Sequence, residues 1–332
     1  MDNYYIDTFG FFITNLDVSG FDTSLVTDIS SMFSSCTSIT YLDVSGFNTS
    51  NVTKMNYVFS SCYSIDNLDV SGFDTSKVTS MTQMFFHCEV LTCIDVTGFN
   101  TSMVTDMSAM FGSCKTLSSI DVSGFNTGNV TNMSAMFSTC DALTTIDLSG
   151  FDTTNVTDMQ SIFFDSKALT NVDISGFETN SNTNMANMFL NCDKLKLLNL
   201  GDTFEFHSNC QLSNYSTPWV KQGTTSPTYT STELISLYDG ATMAGTYVRL
   251  PVIVSATIAI KRDDINWSSN EINVALYQDG IEKYSYTDGT VSQSDGTITW
   301  NVQTGTYDIY ASKDSEHIST LVDTGQDLVV SE

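Results

Sequence analysis

The chain has 332 residues, 41% of them apolar, with 38 acidic and 12 basic side chains for a formal charge of −26. Length and apolar content exclude wholesale disorder and call for more than one folded unit. The charge repels phosphate backbones and anionic headgroups, which argues against a nucleic-acid partner and against binding to a membrane surface.

The N-terminal residues MDNYYIDTFGFF lack a basic stretch followed by an apolar one, and no apolar run approaches the roughly 18 residues of a membrane span. No export signal, anchor or direct membrane insertion is therefore expected of this chain. Met1 enters the repeat described next part-way through a unit, as a fragment of a longer protein would.

LDVSGFDTS begins at Leu16, and its counterparts begin at Leu42, Leu68, Ile94, Ile120, Ile146 and Val172, always 26 residues on; a decayed copy begins at Leu198. Within a unit, Leu42-Asp43-Val44-Ser45 alternates apolar and polar residues, the pattern of a short half-buried strand. Gly46 ends it, and the glycine column (20, 46, 72, 98, 124, 150, 176) predicts a turn with positive φ. Val52, Met55, Phe59 and Cys62 then recur at spacings of three and four, which predicts a short helix, with Thr53 and its column (27, 79, 105, 131, 157, 183) as N-caps. One strand and one helix cannot bury their apolar sides alone, but stacked copies can. The expected fold is a repeat solenoid with a parallel sheet on one face, about 35 Å long for seven units at about 4.8 Å each.

Residues 1–200 are accordingly assigned to a leucine-rich-repeat-like solenoid of seven units with a partial N-terminal unit. Two aromatic columns are read as core: Phe21, Phe47, Phe73, Phe99, Phe125, Phe151 and Phe177, and Phe33, Phe59, Phe85, Phe111, Phe137, Phe163 and Phe189. Cys36, Cys62, Cys88, Cys114, Cys140 and Cys192 share one position, with Ser166 in the remaining slot. The serine favours a small buried filler over a disulfide or metal framework. Cys93 falls outside the column at an outward strand position, and Cys210 beyond the array.

Residues 201–250 are read as a cap or linker closing the array's apolar end. From 251 to 332, VIVSATIAI, EINVALYQ, IEKYSYT, TITWNV and TYDIYA alternate with Asp-Gly turns, predicting a small all-β sandwich.

Two surface features stand out. Asp17, Asp43, Asp69, Asp95, Asp121, Asp147 and Asp173 form an acidic column, in which carboxylates about 5 Å apart repel by roughly 1 kcal/mol per neighbour in water. Hydrogen bonds to the adjacent Ser and Thr residues are the main reading, and bound Ca²⁺, the one cofactor considered, is the alternative. Second, the outward position before each strand varies where its neighbours do not: Asn15, Tyr41, Asn67, Cys93, Ser119, Thr145, Asn171 and Leu197. Tyr41, Asn67, Ser119, Thr145 and Asn171 are the candidate binding residues. Phe86, His87, Phe164, Asp165 and Leu190 likewise replace small residues elsewhere in the unit. No catalytic residue is assigned. His87, His207 and His317 are scattered, and no metalloprotease, nucleophile-elbow or P-loop motif occurs.

The unit IDVSGFNTGNVTNMSAMFSTC closely resembles the 26-residue repeat of BspA-like leucine-rich-repeat bacterial surface proteins, over roughly residues 16 to 200. YTSTELISLYDGATMAGTYVRLP resembles the stretch that closes such arrays, and DGTVSQSDGTITWNVQTGTYDIYAS is similar to Cna-B-like or Ig-like stalk modules. No Asn near the last strand is placed to partner Lys261 in a Cna-B isopeptide bond. The resemblance implies an extracellular or cell-surface location and a non-catalytic adhesion or protein-binding role toward a host or bacterial macromolecule. The alternative is a structural spacer, Ca²⁺-rigidified through the acidic column.

Overall fold

The computed structural model describes residues 13–207, 209–213, 218–224 and 226–249, and the backbone of seven strands between 253 and 330. The chain divides into two compact units, Met1–Arg249 and Leu250–Glu332.

In the first unit, consecutive repeats pair in parallel at a constant offset of 26. Strand β1 (Asn15–Leu16) pairs with β2 (Tyr41–Leu42), and β3 (Thr145–Asp147) with β4 (Asn171–Ile174) and then β5 (Leu197–Leu200). A second ladder runs Asp28, Lys54, Ser80, Asp106, Asn132, Asp158, Asn184, each bridged to the next in parallel. Between the ladders lies one apolar core in which Val52, Met55, Val58, Phe59, Cys62 and Ile65, and their equivalents from Val78 to Leu169, are fully buried. Phe33, Phe59, Phe85, Phe111, Phe137, Phe163 and Phe189 stack with ring centroids 5.4–6.2 Å apart and interplanar angles of 8–17°.

The helix expected from Val52 to Cys62 does not form. Tyr57 and Ser61 have φ of 59° and 61°, and every unit repeats this left-handed pair four residues apart. In the third unit Met81, Gln83, Phe85 and His87 donate their N–H groups to the carbonyls of Asp106, Ser108, Met110 and Gly112 in the next repeat, at 2.8–3.0 Å. The alternate N–H groups of Met84, Phe86 and Cys88 close turns onto Met81, Gln83 and Phe85. A helix would satisfy all of these donors within the unit and leave only side chains to join the repeats. Here half of them join the repeats directly. A left-handed residue other than Gly costs about 1–2 kcal/mol; the ladder bonds, each worth about 1 kcal/mol net, offset it in part.

The threonines expected as N-caps therefore do a different job. The Thr53 hydroxyl and N–H both donate to the Thr27 carbonyl, at 3.0 and 2.8 Å, and Thr79, Thr105, Thr131 and Thr157 repeat the contact. The glycine column is also corrected: among the described residues only Gly223 and Gly245 are glycines with positive φ. The turn closed by the Phe47 N–H on the Val44 carbonyl needs no left-handed residue. A side chain is excluded by crowding at only some of these positions: a Cβ on Gly176 would collide with the Ser149 carbonyl, and one on Gly124 would lie 3.3 Å from that of Thr97. Phe21, assigned to the core, is 54% exposed.

Beyond β5 the ladder continues briefly. The Asn187 N–H donates to the Asn209 carbonyl, and Phe189 bridges to Leu212. β8 (Gly245–Arg249) then pairs antiparallel with β5, followed by β6 (Trp219–Lys221) and β7 (Thr228–Tyr229). Helix α1 (Ser231–Leu237) is closed by a capping box, in which the Thr230 hydroxyl accepts from the Glu233 N–H and the Glu233 carboxylate from the Thr230 N–H. A short helix α2 (Gly240–Met243) precedes β8. Trp219 is fully buried, donates to the Ser231 hydroxyl at 3.2 Å and carries the Arg249 guanidinium 4.5 Å above its ring. Tyr238 donates to the Gly201 carbonyl at 2.8 Å. This apolar cover sits on the array's last strand, within the same compact unit.

In the second unit, β11 (Ile281–Tyr284), β10 (Ile272–Gln278), β14 (Gly305–Lys313) and β15 (Leu328–Val330) form one antiparallel sheet; β12 (Thr290–Ser292), β13 (Thr297–Gln303) and β9 (Ile253–Ala259) form another. Lys261 lies outside the described residues, as do the Asp-Gly turns at 279–280, 288–289 and 295–296.

Candidate recognition surface

The strand face is built by alternation. In β3, Ile146 turns inward while Thr145 and Asp147 are exposed. The same alternation leaves Tyr41, Asn67, Cys93, Ser119 and Asn171 exposed, in register along the array. Tyr41 is 59% exposed, the largest side chain in that column. The five candidate binding residues thus share one face, with Asn171 paired to Thr145.

Beside them runs the acidic column, and each carboxylate is occupied locally. Asp43 Oδ1 accepts from the Ser45 N–H at 2.9 Å, and Asp17, Asp69, Asp95, Asp121, Asp147 and Asp173 accept equally from the residue two positions on. The hydroxyl and then the N–H of Ser45 hold the Asp43 carboxyl below the ordinary carboxylate range, although neighbouring Asp17 and Asp69 push upward. Asp17, Asp69, Asp95 and Asp121 are lowered by the same cause. The seventh carboxylate is relieved further by the Asn199 amide, 2.9 Å from Asp173 Oδ2. Among the described residues, no group of three or more His, Cys, Asp or Glu side chains is arranged to hold a metal ion.

On the turn side the larger substitutions are half-buried. Phe86 lies over Gly112, where an added Cβ would come within 3.0 Å of its ring, and His87 packs edge-on to it at 4.2 Å. His87 and Lys115 both reach Glu89, at 3.2 and 2.9 Å, and Lys167 bridges Asp141 and Asp165. The variable strand column is therefore the freer of the two surfaces.

The cysteine column is a buried ladder of free thiols. Cys62, Cys88, Cys114, Cys140 and Cys192 donate to the carbonyls of Phe33, Phe59, Phe85, Phe111 and Phe163 at 2.9–3.3 Å, and Ser166 Oγ does the same to Phe137 at 2.8 Å. Burial pushes the Cys88 and Cys140 thiols up to about 12, which removes the thiolate that reacts at neutral pH. Cys93 is exposed, Cys36 partly so, and Cys210 is buried.

Sequence reasoning missed a second ladder. Thr49, Thr75, Thr101, Thr127 and Thr153 are almost completely buried. The Thr101 hydroxyl donates to the Asn126 carbonyl at 2.9 Å and accepts from the Asn126 N–H at 2.7 Å, and the others bind the next repeat in the same way or in part. The signal was present, since this threonine recurs as strictly as the phenylalanine two positions before it.

In-register parallel pairing at a 26-residue offset, a shared core and one row of variable exposed residues define a tandem-repeat protein. The family described as "Mycoplasma protein of unknown function, DUF285" matches residues 6–93 and again 86–200, and the chain belongs to it. No curated protein and no solved structure matches the chain. Among the described residues no helix is long and apolar enough to cross a membrane.

Proposed function

We propose that this chain is a non-catalytic binding module of the BspA-like kind, in which a solenoid displays its strand face to an extracellular protein or cell-surface macromolecule. The observation that carries this reading is the contrast between columns. Buried positions repeat almost without change, whereas Tyr41, Asn67, Ser119, Thr145 and Asn171, all exposed in one row, differ from unit to unit. Packing leaves this row free to differ, and an exposed aromatic beside amides and hydroxyls offers a partner protein a contact patch. Presentation at the cell surface, and an Ig-like or Cna-B-like stalk at residues 251–332, complete the proposal by resemblance.

The test is binding of the purified chain to immobilised extracellular-matrix proteins and to intact cells. Saturable binding is expected, and a Tyr41→Ala/Asn67→Ala/Asn171→Ala variant of unchanged melting temperature should lose at least about ten-fold in affinity, the weight of one or two buried contacts. Absence of saturable binding, or full binding by the triple variant, removes the strand face from the proposal. A structural spacer would then remain, favoured by the continuous ring stack.

A further inference from the structure

We infer that the partner met by the strand face is a Lys- and Arg-rich polypeptide segment, an inference that rests on that face being the recognition surface. Charge is sorted between the two sides of the array. On the strand face, the variable row, the Asp column and the Ser or Thr two residues beyond each Asp hold seven carboxylates and no basic residue. Asp22, Asp74, Asp152 and Glu178, exposed just past the turn that ends each strand, extend the same sign. Lys54, Lys77, Lys115, Lys167, Lys194 and Lys196 all lie outside these columns. On the turn side acids and bases are interleaved instead: Lys115 pairs with Glu89, Lys167 with Asp141 and Asp165, and Lys54 stands next to Asp28 in the parallel ladder.

The local hydrogen bonds fix the Asp side chains without cancelling their charge, because the donors are neutral: the N–H groups and hydroxyls of residues such as Thr97 and Ser175, and the Asn199 amide. Neighbouring strands stand about 4.8 Å apart, within the Debye length of about 8 Å at physiological ionic strength, so adjacent carboxylates repel in the free chain. A segment bearing several ammonium or guanidinium groups relieves that repulsion over several repeats at once, and the field of the lysine-free face steers it there. The turn bonds engage Oδ1 of Asp69, Asp95 and Asp121. A carboxylate accepts through both oxygens, so Oδ2 takes a partner's N–H with the turn intact. In the neighbouring row Tyr41, 59% exposed, adds a ring for the same cations. The exposed amides and hydroxyls of Asn67, Ser119, Thr145 and Asn171 suit the peptide groups between them.

The probe is fluorescein-labelled decalysine, titrated with the full chain at low ionic strength and read by anisotropy. Asp69→Asn/Asp95→Asn/Asp121→Asn keeps an oxygen for every turn donor and removes three charges from the strand face. Asp28→Asn/Asp106→Asn/Asp158→Asn, on the turn-side ladder, makes the same change in net charge, and melting temperatures check that both variants fold. The strand-face variant should bind decalysine at least about ten-fold more weakly, as three exposed pairs lost together predict, and the ladder variant within about two-fold of the unsubstituted chain. Equal weakening of both variants would mean attraction by net charge alone and overturn the inference. Undiminished binding by the strand-face variant, or no binding by the unsubstituted chain, would overturn it as well. The two readings fail separately. If Tyr41→Ala/Asn67→Ala/Asn171→Ala loses its protein target while the strand-face Asp variant keeps decalysine, the face stands and its cationic partner falls; if the Tyr41 variant keeps its target in full, the face itself falls, and this inference with it.

Discussion

The two long sides of each repeat solve one problem in opposite ways. On the strand side, alternation puts every second residue into water, so only Leu42, Val44 and Phe47 of that stretch enter the core and the outward positions are free to differ. On the turn side, backbone and side chains are spent together: alternate N–H groups join neighbouring repeats while Met55, Val58, Phe59 and Cys62 are fully buried. The difference teaches that stability and recognition are carried by separate columns of one unit. Substitutions on the two sides should therefore differ sharply in cost.

The largest cost should come from the ring stack. Phe111 is fully buried between Phe85 and Phe137, with centroids 5.6 and 5.7 Å away. Phe111→Ala should lower unfolding free energy by about 3–5 kcal/mol, through lost burial plus the cavity left in a stack unable to close over it. Chemical denaturation measures this, and a loss as small as that of a strand-face residue would break the contrast.

Next comes the buried threonine ladder. Thr101→Val keeps the shape but strands both the N–H and the carbonyl of Asn126, each costing about 1–3 kcal/mol when buried unpaired. A loss of about 2–4 kcal/mol is expected, with Thr101→Ser recovering most of it because the hydroxyl is retained. If the valine and serine variants melt alike, methyl packing rather than the hydroxyl matters there.

These two positions also show what the sequence made legible. The 26-residue register could be read because parallel pairing at a fixed offset requires like residues in line, and the Phe and Cys columns follow from that. The backbone of the turn side could not. Val52, Met55, Phe59 and Cys62 bury at spacings of three and four whether the chain coils as a helix or as turns that alternate hand, and the left-handed positions hold Ser, Tyr, Gln, His, Ala, Thr, Asp and Asn rather than glycine. The exposure of Tyr41, Asn67, Ser119, Thr145 and Asn171 in one row follows from strand alternation, which depends only on period. The threonine ladder is not legible from apolar periodicity, because burial of a hydroxyl depends on whether the next repeat offers it a carbonyl and an N–H, as Asn126 does for Thr101.

Left-handed residues offer a smaller change of opposite sign. Ala135 sits at φ 55°, where its Cβ is unfavourable and glycine is not. Ala135→Gly should raise stability by about 0.5–1 kcal/mol, the relief of strain exceeding the added freedom of the unfolded chain. The same substitution at Ala142, which has no positive φ, should lower stability or leave it unchanged. A destabilising Ala135→Gly would mean that the methyl contributes more by packing than it costs in strain.

The smallest effect is expected in the acidic column, and its sign depends on solution conditions. Asp95 is exposed, and its carboxyl is held below the usual range first by the Thr97 hydroxyl and then by the Thr97 N–H, while Asp69 and Asp121 oppose that shift. A carboxyl lowered by folding contributes stability above its unfolded pKa and loses it as pH falls through the folded value, so this contribution should disappear only in acid, below the ordinary carboxylate range. Asp95→Asn keeps an oxygen to accept both Thr97 donors and removes one charge from a chain of net −26. At neutral pH and low salt the melting temperature should therefore hold or rise slightly, by less than for Ala135→Gly, and the difference should shrink as added salt screens the column. Asp95→Ala, which removes the acceptor as well, should melt below Asp95→Asn at every salt concentration. If the two variants melt together, repulsion along the column outweighs the turn it closes, and the strand face is then set by charge alone.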